Sequence, residues 1–164
     1  MPTLPLAPAL DFMRGIWGVN HAMERVSKRM EQQLGITAQQ RMMIRWIGQS
    51  PGIVPSVLAE QLRVDAGTVS TTVARLEKRR LVSRKPDPDD GRRVTLWLSA
   101  HGRALDVSTP GTIEHGVALL LNSLSEKDVN IARRVLALLT KALEDEAIFT
   151  TATRGKPRRI RRTP

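Results

Sequence analysis

The sequence predicts a mainly α-helical fold with one small β-hairpin, and three observations lead there. Apolar residues recur at helical spacing over several separate stretches. A single pair of short β-prone segments, Leu81-Val-Ser-Arg-Lys85 and Val94-Thr-Leu-Trp-Leu98, flanks a polar tip containing Gly91. At 164 residues and 41% hydrophobic content, the chain fits one domain with a substantial core. Aromatics make up only 3% and Tyr is absent, so Leu, Val, Ile, Met and Ala must build that core.

Residues 1–9 read as an N-terminal extension. Ala9, Phe12, Ile16, Val19, Met23, Val26 and Met30 then follow alternating steps of three and four, the stripe of a helix that packs on another helix. Leu10, Met13 and Trp17 add a second apolar face, which predicts a helix over 10–34 wedged between neighbours and closed by Gly35. Thr37 and Gln40 form a capping-box pair opening the next helix, with Met42, Met43, Trp46 and Ile47 as core candidates and Pro51-Gly52 as its stop. Pro55 suits the first turn of a short helix bearing Val57, Leu58 and Leu62. Asp65 caps a further helix from Ala66 to about Arg79, buried along Val69, Val73 and Leu76. After the hairpin, a helix from about Ala100 to Asn122 should break at Thr109-Pro110-Gly111. A last helix opens at Ser125 and runs to about Glu146. The tail, 147–164, is basic and rich in Pro and Thr, a composition that favours disorder.

Two short helices, a three-residue link, a third helix and a basic hairpin describe a winged helix-turn-helix, here spanning 37–99. On the third helix, Val69, Val73 and Leu76 lock one side, while Gly67, Thr68, Thr71, Ala74 and Arg75 project from the other. Small or hydroxylated side chains allow close approach to the ~12 Å major groove, and an Arg can fork onto guanine. The candidate base-reading residues are Gly67, Thr68, Ser70, Thr71 and Arg75. At the hairpin tip, Arg92 and Arg93 are placed to reach a minor groove. Asp90, two residues from Arg92, should hold that guanidinium or else cap the turn.

Charge fits a polyanionic partner. The formal net charge is +10, of which Arg154, Lys156, Arg158, Arg159, Arg161 and Arg162 supply six, leaving +4 on the rest. Lys78, Arg79, Arg84, Arg158 and Arg159 are candidate phosphate contacts. Cys is absent, which excludes disulfides, thiolate metal sites and thiol-based redox switching in this chain. No apolar run has the length of a membrane span and the start lacks signal-peptide character, so a cytoplasmic protein with no membrane association is expected. His21, His101 and His115 lie on different elements at no metal-site spacing, and neither a metal nor a cofactor is expected. No nucleophile elbow, phosphate-binding glycine loop or carboxylate pair points to an enzyme. Trp17, His21 and Trp46 are candidates for lining a small-molecule pocket, although at helical spacing they also suit the core.

The stretches Leu58-Ala-Glu-Gln-Leu62, Thr68 to Arg84, Asp87 to Ser99 and His101-Gly-Arg-Ala-Leu105 resemble the MarR (multiple antibiotic resistance regulator) family, with the resemblance covering 10–146. It implies a homodimeric transcriptional regulator, with helices 10–34 and 100–146 forming the dimerisation layer, on a pseudo-palindromic duplex operator, usually a repressor and often released by a small ligand. Three departures stand out, one of them the basic tail past Thr150, which lies outside the family pattern. Arg80 occupies the place where the family most often closes the recognition helix with Gly, so that cap should be made differently. Val54 replaces a usual Thr or Ser cap, weakening it by about 1 kcal/mol. The rival readings are an architectural DNA-coating protein that uses the tail, and a protein-interaction adaptor built on the same scaffold. A sequence preference in DNA binding separates them from a reader of operators.

Overall fold

The structure is a computed structural model that describes residues 6–145, so the tail with Arg158 and Arg159 lies outside the described residues. Seven helices and one hairpin follow in order among them: α1 (Leu6–Leu34), α2 (Ala38–Gln49), α3 (Pro55–Leu62), α4 (Ala66–Lys78), β1 (Val82–Pro86), β2 (Val94–Leu98), α5 (Ala100–Leu105), α6 (Ile113–Ser123) and α7 (Glu126–Glu144). They fall into two compact units, one ending at Val117 and the other beginning at Ala118.

In the first unit, α2, α3, α4 and the hairpin enclose one core. Ile36, Met43, Ile44, Ile47, Leu58, Val69, Val73, Leu76, Leu81, Val82 and Leu96 are all buried there. The strands pair antiparallel with Val82 opposite Leu98 and Pro86 opposite Val94. Ile53 adds a bridge to Leu96: Gly52 N–H donates to the Leu96 carbonyl and Leu96 N–H to the Ile53 carbonyl, both at 2.9 Å. The middle of β2 is thereby stitched to the α2–α3 connection. Lys85 Nζ sits 4.9 Å from the Trp97 ring centre, and the indole N–H donates to Thr95 Oγ1 at 2.9 Å.

Most helix ends follow the local signals. Thr37 and Gln40 form the reciprocal capping box, Asp65 and Ser125 accept from the N–H three residues on, and Val54 makes no side-chain cap. Elsewhere the sequence expectation is corrected. Helix α1 starts at Leu6, not near residue 10, with Pro8 inside its first turn, where the backbone N–H has no helical partner to lose. The expected helix 100–122 is two helices, because residues 106–112 form a connection wider than the Thr109-Pro110-Gly111 break. Met42, a core candidate by its spacing, is exposed.

The end of α4 is a further correction. Arg80 adopts the left-handed conformation itself, with φ +57°, and the cap is the one a glycine would make. Arg80 N–H donates to the Glu77 carbonyl at 2.7 Å and Leu81 N–H to the Leu76 carbonyl at 2.9 Å, while Leu76 and Leu81 are both buried. A side chain in that region costs about 1 kcal/mol. Arg80→Gly is therefore expected to raise the unfolding free energy by about 1 kcal/mol, read from the urea midpoint. An unchanged or lowered midpoint would show that the backbone carries no strain there.

Candidate nucleic-acid interface

Helix α4 presents the face its spacing predicts. Val69, Thr72, Val73 and Leu76 are buried, while Gly67, Ser70, Thr71, Ala74 and Arg75 are exposed. Asp65 sets the start of this face. Its Oδ1 accepts from Thr68 N–H at 2.7 Å and its Oδ2 from the Thr68 hydroxyl at 2.5 Å. The Thr68 hydroxyl, followed by the Thr68 N–H, holds the Asp65 carboxyl below its ordinary value. The cap therefore contributes fully above the unfolded carboxyl pKa and is lost as pH falls through the depressed one. A Cβ at Gly67 would come within 3.0 Å of Asp65 Oδ1, so glycine leaves this carboxylate room to cap. Thr68, expected to face DNA, is half-buried with its hydroxyl engaged by the cap.

At the hairpin tip, Asp90 pairs with Arg93, not with Arg92. Asp90 Oδ2 lies 3.3 Å from Arg93 Nε, and Asp90 Oδ1 accepts the Arg92 backbone N–H at 3.1 Å. The tight turn closed by Arg93 N–H on the Asp90 carbonyl, 2.8 Å, turns the side chain three residues on toward the carboxylate. Asp90 thus serves both as turn cap and as ion-pair partner, and the Arg92 guanidinium has no partner among the described residues.

The same test sorts the other cations. Arg79 donates to the Gly35 carbonyl and is tied to the α1–α2 junction. Arg84 Nε lies 2.8 Å from Glu77 Oε2. Arg75, Lys78 and Arg92 are exposed and make no side-chain bond among the described residues.

A second feature, a cleft of about 650 Å³, lies between α1, α2 and the first turn of α6. Met23, Met30, Met42, Met43 and Trp46 line its apolar wall, with Glu24, Arg45 and Glu114 among its charged groups. Trp46 is where the sequence placed it. Trp17 and His21 are not in the lining; Trp17 is 59% exposed, and α1 is exposed throughout residues 6–21, N-terminal to the stretch that borders the cleft.

Sequence reasoning missed Arg41. This side chain is 1% exposed and donates to the Leu105 carbonyl at 2.9 Å, the Val107 carbonyl at 2.7 Å, Thr109 Oγ1 at 3.4 Å and the Glu114 carboxylate. One turn on, Arg45 Nη1 donates to the Asp106 carbonyl and carboxylate at 2.7 and 2.6 Å. Gly48 completes the seat, since a Cβ there would lie 1.9 Å from Asp106 Oδ2. One face of α2 therefore holds the whole α5–α6 connection. Arginines at 41 and 45, four apart, are the only sequence trace of it.

Residues 34–93 match the MarR family model. The chain is 37% identical over 70 residues to the transcriptional regulator HosA of Escherichia coli O111:H-, covering 43% of this chain and 52% of that one. It is 26% identical over 134 residues to the organic hydroperoxide resistance transcriptional regulator of Bacillus subtilis, covering 80% and 88%. Among solved structures it resembles a mutant MarR from E. coli complexed with operator DNA, with TM-score 0.64 and 25% identity over 84% of this chain and 99% of that one. These neighbours are transcriptional regulators, not enzymes.

Proposed function

Because the chain belongs to the MarR family of transcriptional regulators, we propose that it is a sequence-specific, homodimeric DNA reader that represses transcription from a pseudo-palindromic operator. The observation that carries this reading is the exposed, small-residue face of α4 together with an exposed, unpaired Arg92 on the hairpin tip among the described residues. Thr71, Ser70 and Arg75 enter the major groove, Gly67 allows close approach, and Arg92 reaches the adjoining minor groove. The Asp90–Arg93 pair shapes the tip. Lys78 meets phosphate, and the tail cations Arg158 and Arg159 add sequence-independent attraction.

Two apolar surfaces support the dimer. In the first unit, Leu10, Phe12, Met13, Ile16, Trp17 and Val19 of α1 are exposed. In the second, Leu119, Leu120, Ile131, Val135, Leu136 and Leu138 of α6 and α7 are exposed. Patches of this kind mark association surfaces, and a dimer would set two copies of α4 about one helical turn, ~34 Å, apart on the duplex. The α1–α2 cleft is the place for a small apolar effector that relieves binding. No helix among the described residues is long and apolar enough to cross a membrane, which suits work in the cytoplasm.

Arg92→Ala is expected to weaken operator binding by about 1–3 kcal/mol, measured by fluorescence anisotropy titration. An unchanged titration curve removes the hairpin from the interface.

A further inference from the structure

The helix-turn-helix contains a second arginine in the left-handed region. Arg63 closes α3 with φ +51° and ψ +46°. Its N–H donates to the Glu60 carbonyl at 3.1 Å, and Val64 N–H donates to the Ala59 carbonyl at 3.1 Å. This is again the cap that glycine forms without steric cost. Backbone held in a sparsely populated region tends to collect at functional sites. Here the strain belongs to a residue whose side chain does nothing for the fold. Arg63 is exposed and makes no side-chain hydrogen bond or ion pair among the described residues.

Its position gives that free charge a target. Arg63 stands two residues before Asp65, the N-cap of α4. In a helix-turn-helix the N-terminal part of the recognition helix meets base edges, so the chain just ahead of it borders the groove where the phosphates run. The neighbouring cations divide by engagement. Arg79 is tied to Gly35, Arg84 to Glu77 and Arg93 to Asp90, whereas Arg63 is uncommitted. No carboxylate among the described residues is paired with it to offset its field at the turn.

We propose that Arg63 is a DNA-backbone contact, neutralising one phosphate per protomer at the edge of the major groove, and that its left-handed backbone is a stability cost retained with that charge. The inference rests on the DNA-binding reading above and adds a residue to it. The contact is to the backbone, so it carries no sequence information and acts alike on every duplex.

The test compares wild type, Arg63→Gly and Arg63→Lys on a random-sequence duplex of about 40 base pairs across a salt series, with thermal unfolding of each protein. Glycine suits the backbone, so Arg63→Gly should fold and its Tm should rise by about 2–4 °C. Its affinity should fall about fivefold per protomer at ~150 mM salt, and its log–log salt slope should lose about 0.9 per protomer. Arg63→Lys should keep the wild-type slope with no gain in Tm. If Arg63→Gly binds with the wild-type affinity and slope, Arg63 touches no phosphate and the inference is overturned, while the DNA-binding reading stands. If the wild type binds no duplex even at the lowest salt of the series, both fall together.

Discussion

Replacing Arg41 by Ala is expected to lower the unfolding free energy by about 3 kcal/mol, a sizeable fraction of what holds an ordinary domain folded. The side chain is almost wholly buried and supplies donors to two carbonyls, a hydroxyl and a carboxylate on the α5–α6 connection. Its removal leaves the Leu105 and Val107 carbonyls without these donors and the partly exposed Glu114 carboxylate without its counter-charge. With a urea slope of about 2 kcal/mol/M, the midpoint should fall by roughly 1.5 M. Glu114→Gln keeps a hydrogen-bond acceptor opposite Arg41 and should cost less than Arg41→Ala. A drop below about 1 kcal/mol for Arg41→Ala would mean that the connection is held by something other than α2.

The second large effect falls on binding with the fold left intact. Thr71 lies on the exposed face of α4, so Thr71→Glu should change stability by no more than about 0.5 kcal/mol. On the proposed duplex, a carboxylate at that place would face the base edges between two rows of phosphates. Like-charge juxtaposition of this kind costs several kcal/mol, and operator affinity should drop by about 100-fold or more. A Thr71→Glu protein with an unaltered melting curve and near-wild-type DNA affinity would take α4 out of the groove.

The parts of the fold readable from sequence are those decided by neighbours in the chain. The Thr37–Gln40 capping box, the Asp65 and Ser125 caps and the buried stripe of Val69, Val73 and Leu76 each depend on residues within one or two helical turns, and all are present. The same locality explains the exposed face of α4. What escaped was decided at long range or by backbone shape. Arg41 finds its partners 64 to 73 residues away, and nothing beside it in the sequence distinguishes it from a surface arginine. Gly48 is small because Asp106 arrives from a different element. Sequence spacing points Asp90 at Arg92, but the turn between them directs Arg93 to it instead. An arginine at position 80 argues for a different cap, yet the buried Leu76–Leu81 pair and two backbone bonds impose the left-handed geometry on it. Trp17 and His21 share a helix with the cleft-lining Met23, but they precede the stretch that borders it.

If the exposed face of α4 reads sequence as part of a dimer, in-vitro selection of random duplex DNA by the purified full-length protein at ~150 mM salt will reveal it. Such a dimer should enrich an inverted repeat whose half-site centres lie about one helical turn apart. Tight binding that enriches no motif would contradict it, and would make the chain a coater of DNA held by charge alone.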